Sequence, residues 1–230
     1  MSGAEAAPRT RRRWKDRTRS WYQHGRFFWG WLRDPLSVGA ILPSGRSVAR
    51  LMVRGVRPGV RVIELGAGTG TVTRAILDAG VRPEDLLIIE KNAEFSRFLS
   101  RRFPGVAVAN ADALELSRHL GHLSGPADFV ISGLPLVLFS AAERMRLLSQ
   151  ALAALAPDGV FHQFSYIGRF PIGRAQLDAV DVESSLMGFA TFNIPPAFVY
   201  RLCRSAAPEV SRESRLDGLT GALGLDTRAG

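Results

Sequence analysis

Val62-Ile63-Glu64-Leu65-Gly66-Ala67-Gly68-Thr69-Gly70 decides how this 230-residue chain is read. An apolar run ends in an acidic residue, three glycines alternate, and a helical pattern starts at Thr71. Glycines at a strand-to-helix turn supply positive φ and remove the Cβ atoms that would keep a ligand off the backbone. The spacing lacks the Gly-Lys-Ser/Thr ending of the nucleoside-triphosphate loop. It also departs from the Gly-x-Gly-x-x-Gly turn that binds a dinucleotide pyrophosphate.

Outward from this turn, strand and helix patterns alternate. Strands are expected at Val60–Leu65, Leu86–Glu90, Val106–Ala109, Phe129–Ser132 and Val160–Phe164. Helices are expected at Arg46–Val53, Thr71–Ala79, Ala93–Arg102, Ala113–Leu120, Ala141–Ala156 and Arg174–Val180. Such alternation specifies an α/β fold, a parallel sheet with helices on both faces. Two more apolar runs, Ser185–Phe192 and Ala197–Arg204, have no helix between them and fit a closing antiparallel pair. Glu90 ends the second strand, where a carboxylate can accept from both hydroxyls of a ribose. Asp112 follows the third strand, as a cap for the next helix or as a ligand contact. Glu64, Glu90 and Asp112 therefore share the carboxyl edge of the sheet, where open α/β sheets bind ligands. Ser44, after Pro43, caps the Arg46–Val53 helix or faces the same ligand.

Charge is unevenly distributed. Residues 1–33 carry nine of the 30 cations and only Glu5 and Asp16 as anions, a net +7 of the chain's +9. Residues 1–8 read as disordered, and 9–33 as a helix holding all four tryptophans, Trp14, Trp21, Trp29 and Trp31. Trp14, Trp21, Phe28, Trp29 and Leu32 fall near one face, with Arg19 and Arg26 largely off it. That pattern describes a helix lying in a membrane interface. Packing over the domain and stacking on nucleic-acid bases are its competitors. Ser184–Tyr200 is the longest charge-free stretch, and Asn193, Pro195 and Pro196 break it as a membrane span. One cysteine, Cys203, excludes an intrachain disulfide and a cysteine-built zinc site; no metal is expected. Residues 206–230 read as a loosely ordered tail, leaving 34–205 as the body.

Glu64-x-Gly66-x-Gly68-x-Gly70 resembles the first motif of class I S-adenosylmethionine-dependent methyltransferases. A sulfonium and an ammonium welcome a carboxylate such as Glu64, and with no pyrophosphate no lysine is required in the loop. Five segments together resemble the soluble bacterial phospholipid N-methyltransferases over roughly residues 22–204: Asp34–Ser44, Glu64–Gly70, Ser132-Gly133-Leu134-Pro135-Leu136, His162-Gln163-Phe164-Ser165-Tyr166 and Asn193-Ile194-Pro195-Pro196-Ala197. Gly45 stands where members of that family commonly carry a second serine after the proline.

The resemblance implies a Rossmann-like class I methyltransferase fold, a mostly parallel seven-stranded sheet with a closing antiparallel strand. It implies S-adenosylmethionine as cofactor, held by Ser44, Glu64, Gly66, Ala67, Gly68, Gly70, Glu90, Lys91, Asp112, Ala113 and Ser132, with Asp112 and the Ala113 N–H meeting the adenine. The implied reaction is stepwise N-methylation of phosphatidylethanolamine, through to phosphatidylcholine in the fullest case. The implied place is peripheral, on the cytoplasmic face of the membrane. The aromatic ring that stacks a nucleobase in related nitrogen methyltransferases is missing after Pro135, which favours an aliphatic amine. The amine must lose a proton before it attacks. Tyr166 and His162 are candidate acceptors or orienters, and the Gly133 and Leu134 carbonyls could hold the nitrogen. Arg46, Arg169 and Arg174 are candidate partners for a lipid phosphate. Three alternatives stay open: methylation of ornithine lipid or another aminolipid, dimethylation of an rRNA adenine, and a membrane-binding module with a vestigial cofactor fold.

Overall fold

The computed structural model describes residues 43–166, 168–190 and 197–205. Residues 1–8, the basic aromatic segment 9–33 and the tail 206–230 lie outside them, so the membrane residues expected there have no structural counterpart. Helix α1 (Pro43–Met52) leads into a seven-stranded sheet. Its strands are β1 (Val62–Leu65), β2 (Leu86–Ile89), β3 (Ala107–Ala109), β4 (Ala127–Ser132), β5 (Leu155–Ser165), β6 (Val182–Ala190) and β7 (Ala197–Arg204). Helices α2 (Thr71–Asp78), α3 (Ala93–Arg102), α4 (Ala141–Ala154) and α5 (Arg174–Asp178) connect them. The spatial order is β3-β2-β1-β4-β5-β7-β6. β7 runs antiparallel to both β5 and β6, and the other pairs are parallel. This is the expected Rossmann-like class I architecture.

Every residue of β1 and β2 is buried. That is why both read as unbroken apolar runs: helices cover both faces of a parallel sheet. Alternate residues feed two cores. Ile63, Leu65, Val130 and Phe161 pack on one face with Leu147 and Leu148 of α4. Val62, Ile88, Ile131 and Val160 pack on the other with Met52 of α1 and Ile76 of α2. Glu64 therefore lies on the α1 and α2 side. Ser132 and Gln163, register partners on β4 and β5, follow the parity of the α4 side.

The structure departs from the expected elements in two informative places. The segment Ala113–His122 is a 3-10 run with a kink at Glu115 (φ −117°), not an α-helix. Gln150 of α4 explains it: its Oε1 accepts from the Ser117 N–H at 3.0 Å and its Nε2 donates to the Leu114 carbonyl. Those backbone groups have left the helical ladder for a side chain. Second, α4 stops at Ala154 and β5 begins at Leu155, five residues before the expected strand. Leu155 pairs with Ala127, and a register shift there absorbs Pro157-Asp158-Gly159. Elsewhere the ends move by a few residues.

Candidate functional site

The three turn glycines all have positive φ, 72° at Gly66, 54° at Gly68 and 79° at Gly70, but for different reasons. A Cβ at Gly66 would come within 2.6 Å of the Leu134 side chain, and one at Gly70 within 2.6 Å of Phe103. These two let the β4 loop and α3 close onto the turn. Among the described residues, a Cβ at Gly68 would meet no atom within 4 Å. The packing of the described residues does not call for that glycine; its left-handed conformation does. The Gly68 N–H donates to Glu90 Oε2 at 3.0 Å.

Glu90 sits one residue past β2 and is buried. The Asn92 N–H donates to its Oε1 at 2.8 Å. Both carboxylate oxygens are thus oriented by backbone donors, and each retains a lone-pair site. That leaves the carboxylate competent to accept from two further hydroxyls. Glu64 is sealed at 2% exposure, with the Thr73 hydroxyl donating to Oε2 at 2.6 Å. Burial pushes its carboxyl up to about 8; the Thr73 bond opposes the shift and the nearby Glu90 adds to it. Lys91 and Asp112 pair at 2.8 Å. Asp112 also caps the following segment, its Oδ1 accepting from the Leu114 N–H at 2.9 Å. Burial works against its ionisation, yet Lys91 and that N–H hold it below the ordinary aspartate value. The donor set at this edge is three carboxyl groups and one paired lysine, with no cation in the glycine loop. It fits a ligand that is cationic and rich in hydroxyl and amine donors, as S-adenosylmethionine is.

The loop after β4 touches the glycine turn. The Gly133 N–H donates to the Leu65 carbonyl at 2.9 Å, and a Cβ on Gly133 would lie 2.9 Å from the Gly66 carbonyl oxygen. Any side chain at 133 would force the two loops apart. Ser132 is fully buried, its Oγ accepting from the Leu134 N–H at 3.3 Å. The Leu134 carbonyl, expected to hold an amine, already receives Gln163 Nε2 at 2.8 Å and the Leu136 N–H at 2.9 Å, so both of its lone pairs are taken. Gln163 Nε2 also donates to the Phe164 carbonyl at 2.6 Å. Gln163 Oε1 is buried with no partner. An unpaired buried acceptor of this kind costs about 1–3 kcal/mol.

His162 does not reach this edge. It is 1% exposed, and its Nδ1 lies 2.8 Å from the Met52 carbonyl at the end of α1. A carbonyl only accepts, so Nδ1 carries the proton. Burial lowers the affinity of the ring for a second proton. His162 is a neutral tether between β5 and α1. Tyr166, just past β5, stacks edge-on with Phe164 at 4.4 Å. Burial pushes its pKa above the ordinary phenol value, so it works as a neutral hydroxyl.

Arg169 and Arg174 share a cavity of about 700 Å³ that also takes in Val137 of the β4 loop. Arg144 of α4 lines it too, with Nε donating to the Ser140 carbonyl at 3.4 Å and Nη1 to the Pro171 carbonyl. Asp178 and Glu183 form part of the same wall. Arg46 is exposed on α1 and does not line this cavity. The Ser44 side chain lies outside the described residues.

Thr73 and Arg144 lie outside the motif segments and Gln163 stands inside one without an assigned role, although the structure gives each a place. Their one sequence signal is polarity within an apolar pattern, clearest for Gln163 between Phe161 and Phe164. Among the described residues no cluster of potential ligands could hold a metal ion, and no helix is long and apolar enough to cross a membrane.

A family model described as a methyltransferase domain matches residues 62–159. The ornithine lipid N-methyltransferase of Singulisphaera acidiphila is 31% identical over 187 residues, 78% of this chain and 93% of that relative. Two solved structures show the same fold. The 1,6-didemethyltoxoflavin-N1-methyltransferase of Burkholderia thailandensis, bound to 1,6-didemethyltoxoflavin and S-adenosylhomocysteine, superposes with a TM-score of 0.56 at 18% identity, covering 90% of this chain and 94% of that one. The magnesium protoporphyrin IX methyltransferase of Synechocystis PCC 6803, with bound SAM, gives 0.52 at 15% identity, covering 70% and 78%.

Proposed function

The chain belongs to the family of S-adenosylmethionine-dependent methyltransferases that includes the ornithine lipid N-methyltransferase, and from that membership we propose that it methylates the amine of a membrane aminolipid, phosphatidylethanolamine first. The cofactor is S-adenosylmethionine, which supplies an electrophilic methyl group. The observation that carries the lipid reading is the arginine-lined cavity beside the β4 loop. An aminolipid of this class carries an anion a few bonds from its amine. Arg169 and Arg174 take that anion, and guanidinium groups match phosphate or carboxylate oxygens two at a time. Arg144 bonds the Pro171 carbonyl and so holds the 169–174 loop in place. Leu138, 44% exposed and next to Val137, offers apolar surface at the cavity's edge for the start of an acyl chain.

The protein's remaining work is positioning and exclusion of water. Glu90, Asp112 and the glycine turn hold the donor at the carboxyl edge. Ser132 and the Gly133 carbonyl orient the acceptor nitrogen. Tyr166, a neutral hydroxyl, hydrogen-bonds the amine and passes its proton toward solvent. Ornithine lipid is a second reading, favoured by the name of the 31%-identical relative; its anion is a carboxylate in place of phosphate. The basic aromatic segment 9–33 brings the protein to the cytoplasmic face of the membrane in either case.

The test replaces both cavity arginines. With phosphatidylethanolamine in mixed vesicles, Arg169→Gln with Arg174→Gln should raise the KM for lipid about tenfold or more, the value of losing one or two charge-assisted bonds. The Kd for S-adenosylmethionine should stay within twofold. An unchanged lipid KM would place the headgroup elsewhere.

A further inference from the structure

We infer that Gln163 sets which amines the enzyme will methylate, by accepting an N–H of the attacking nitrogen at its side-chain carbonyl. The inference rests on the aminolipid reading above and goes beyond it to the order of transfers.

Gln163 is fully buried on β5, in register with Ser132 on β4. Its Nε2 donates to two backbone carbonyls, Leu134 at 2.8 Å and Phe164 at 2.6 Å. Carbonyls cannot donate, so the orientation of the amide follows from the network: nitrogen toward the carbonyls, oxygen at the other corner. That oxygen is the one buried side-chain polar atom among the described residues without a partner. Native proteins pair nearly all such atoms, and each exception calls for a cause, a catalytic role among them. Here the unpaired acceptor belongs to a side chain held by two bonds, and one of them ends on the loop that carries Ser132 and Gly133. An amide so fixed is preorganised for a donor arriving with the substrate. An amine is the substrate group that brings one.

The chemistry then distinguishes successive methylations. A neutral primary amine brings two N–H groups and a lone pair, a secondary amine one N–H, and a tertiary amine none. In each transfer the lone pair forms the new N–C bond, and sulfur keeps the electron pair of the bond that breaks. One proton leaves for solvent after the first and second transfers, and none after the third. As the N–C bond forms, the nitrogen gains positive charge and its N–H becomes a stronger donor. The bond to Gln163 Oε1 is therefore worth more in the transition state than in the ground state, which lowers the barrier. It exists for the first two transfers and has no counterpart in the third. Gln163 does not take the proton, since a neutral amide is no base.

The test uses the full-length protein and three lipids presented in identical vesicles: phosphatidylethanolamine and its monomethyl and dimethyl derivatives. Gln163→Met keeps the length and apolar bulk of the side chain and removes the acceptor. We expect kcat/KM to fall about 10- to 100-fold on the first two lipids, carried mainly by kcat, and by less than about twofold on the dimethyl lipid. S-adenosylmethionine affinity should stay within twofold. If wild type does not turn over the dimethyl lipid, its inhibition constant as a competitor replaces the third rate and should change by less than twofold. Should Gln163→Met not fold, Gln163→Asn draws the oxygen back by one methylene and should show the same ordering of losses. An equal loss on all three lipids would make Gln163 a support for the loop and overturn the inference, and no loss on any would do the same. A wild-type enzyme that methylates none of the three defeats the aminolipid reading and this inference with it.

Discussion

Glu64 is a carboxyl group shut inside the sheet, and its proton reports on both stability and binding. Burial moves its titration from the ordinary glutamate value of 4.5 to about 8. In the unfolded chain it ionises near the ordinary value. Between the two, the unfolded state gives up a proton that the folded state retains. The donor-free fold therefore loses stability as pH rises through that window and levels off above it. Glu64→Gln removes the penalty and can still accept from Thr73. The variant should have a flatter Tm against pH between 5 and 8, and near pH 8 a Tm higher than wild type by about 2–4 °C for each kcal/mol relieved. Above pH 8, where the wild-type carboxyl is ionised, its affinity for the cationic donor should fall at least tenfold, since the charge that complements the sulfonium is gone. A Tm profile with the wild-type slope would show that Glu64 is ionised in the free protein.

Elements meet at the glycine turn, and two glycines there separate packing from binding. Gly133→Ala would push a methyl group to 2.9 Å from the Gly66 carbonyl. Scanning calorimetry should find it destabilised by about 1–3 kcal/mol, the cost of overpacking. Gly68→Ala meets no atom of the described residues, and strains the backbone through φ 54°, at about 1–2 kcal/mol. Its donor affinity should drop far more than its stability, because the added Cβ stands in the open space over the turn, where a ligand would lie against bare backbone. Equal effects on both properties at both positions would contradict the division. The glycine spacing and the acids at 64, 90 and 112 were legible in the sequence because each belongs to a strand end, and strand ends follow from apolar runs. The β6–β7 pair was legible too, from two apolar runs with no helix between. The 3-10 run after Asp112 was not, because Gln150 comes from 36 residues away to take the Leu114 carbonyl. Gln163 and Arg144 were hidden for a related reason. Which side chain faces which loop depends on the register between β4 and β5, and on a cavity wall assembled from four separate segments. The motif placed His162 among the reacting groups, and only the fold shows it turned toward α1.

At the scale of the whole molecule, a body of nearly balanced charge follows an N-terminal segment holding +7 of the +9. Basic residues close to an anionic leaflet contribute about 1 kcal/mol each and weaken with salt. Removing residues 1–33 should reduce sedimentation with anionic vesicles at least tenfold, and raising the salt should do the same to the intact chain. The shortened protein should keep its affinity for S-adenosylmethionine if the carboxyl edge alone holds the donor. Equal sedimentation of both forms would move the membrane contact into the body, where Leu186 and Phe189 of β6 are half-exposed. The central claim is that this sheet edge passes a methyl group to a lipid nitrogen, and its most direct test is to follow the label. Full-length protein with methyl-labelled S-adenosylmethionine is offered vesicles containing phosphatidylethanolamine, vesicles containing ornithine lipid, and ribosomal RNA, and each product is isolated and analysed by mass spectrometry. The account predicts label on the headgroup nitrogen of an aminolipid and none in the RNA; label in RNA with both lipids unmodified would contradict it.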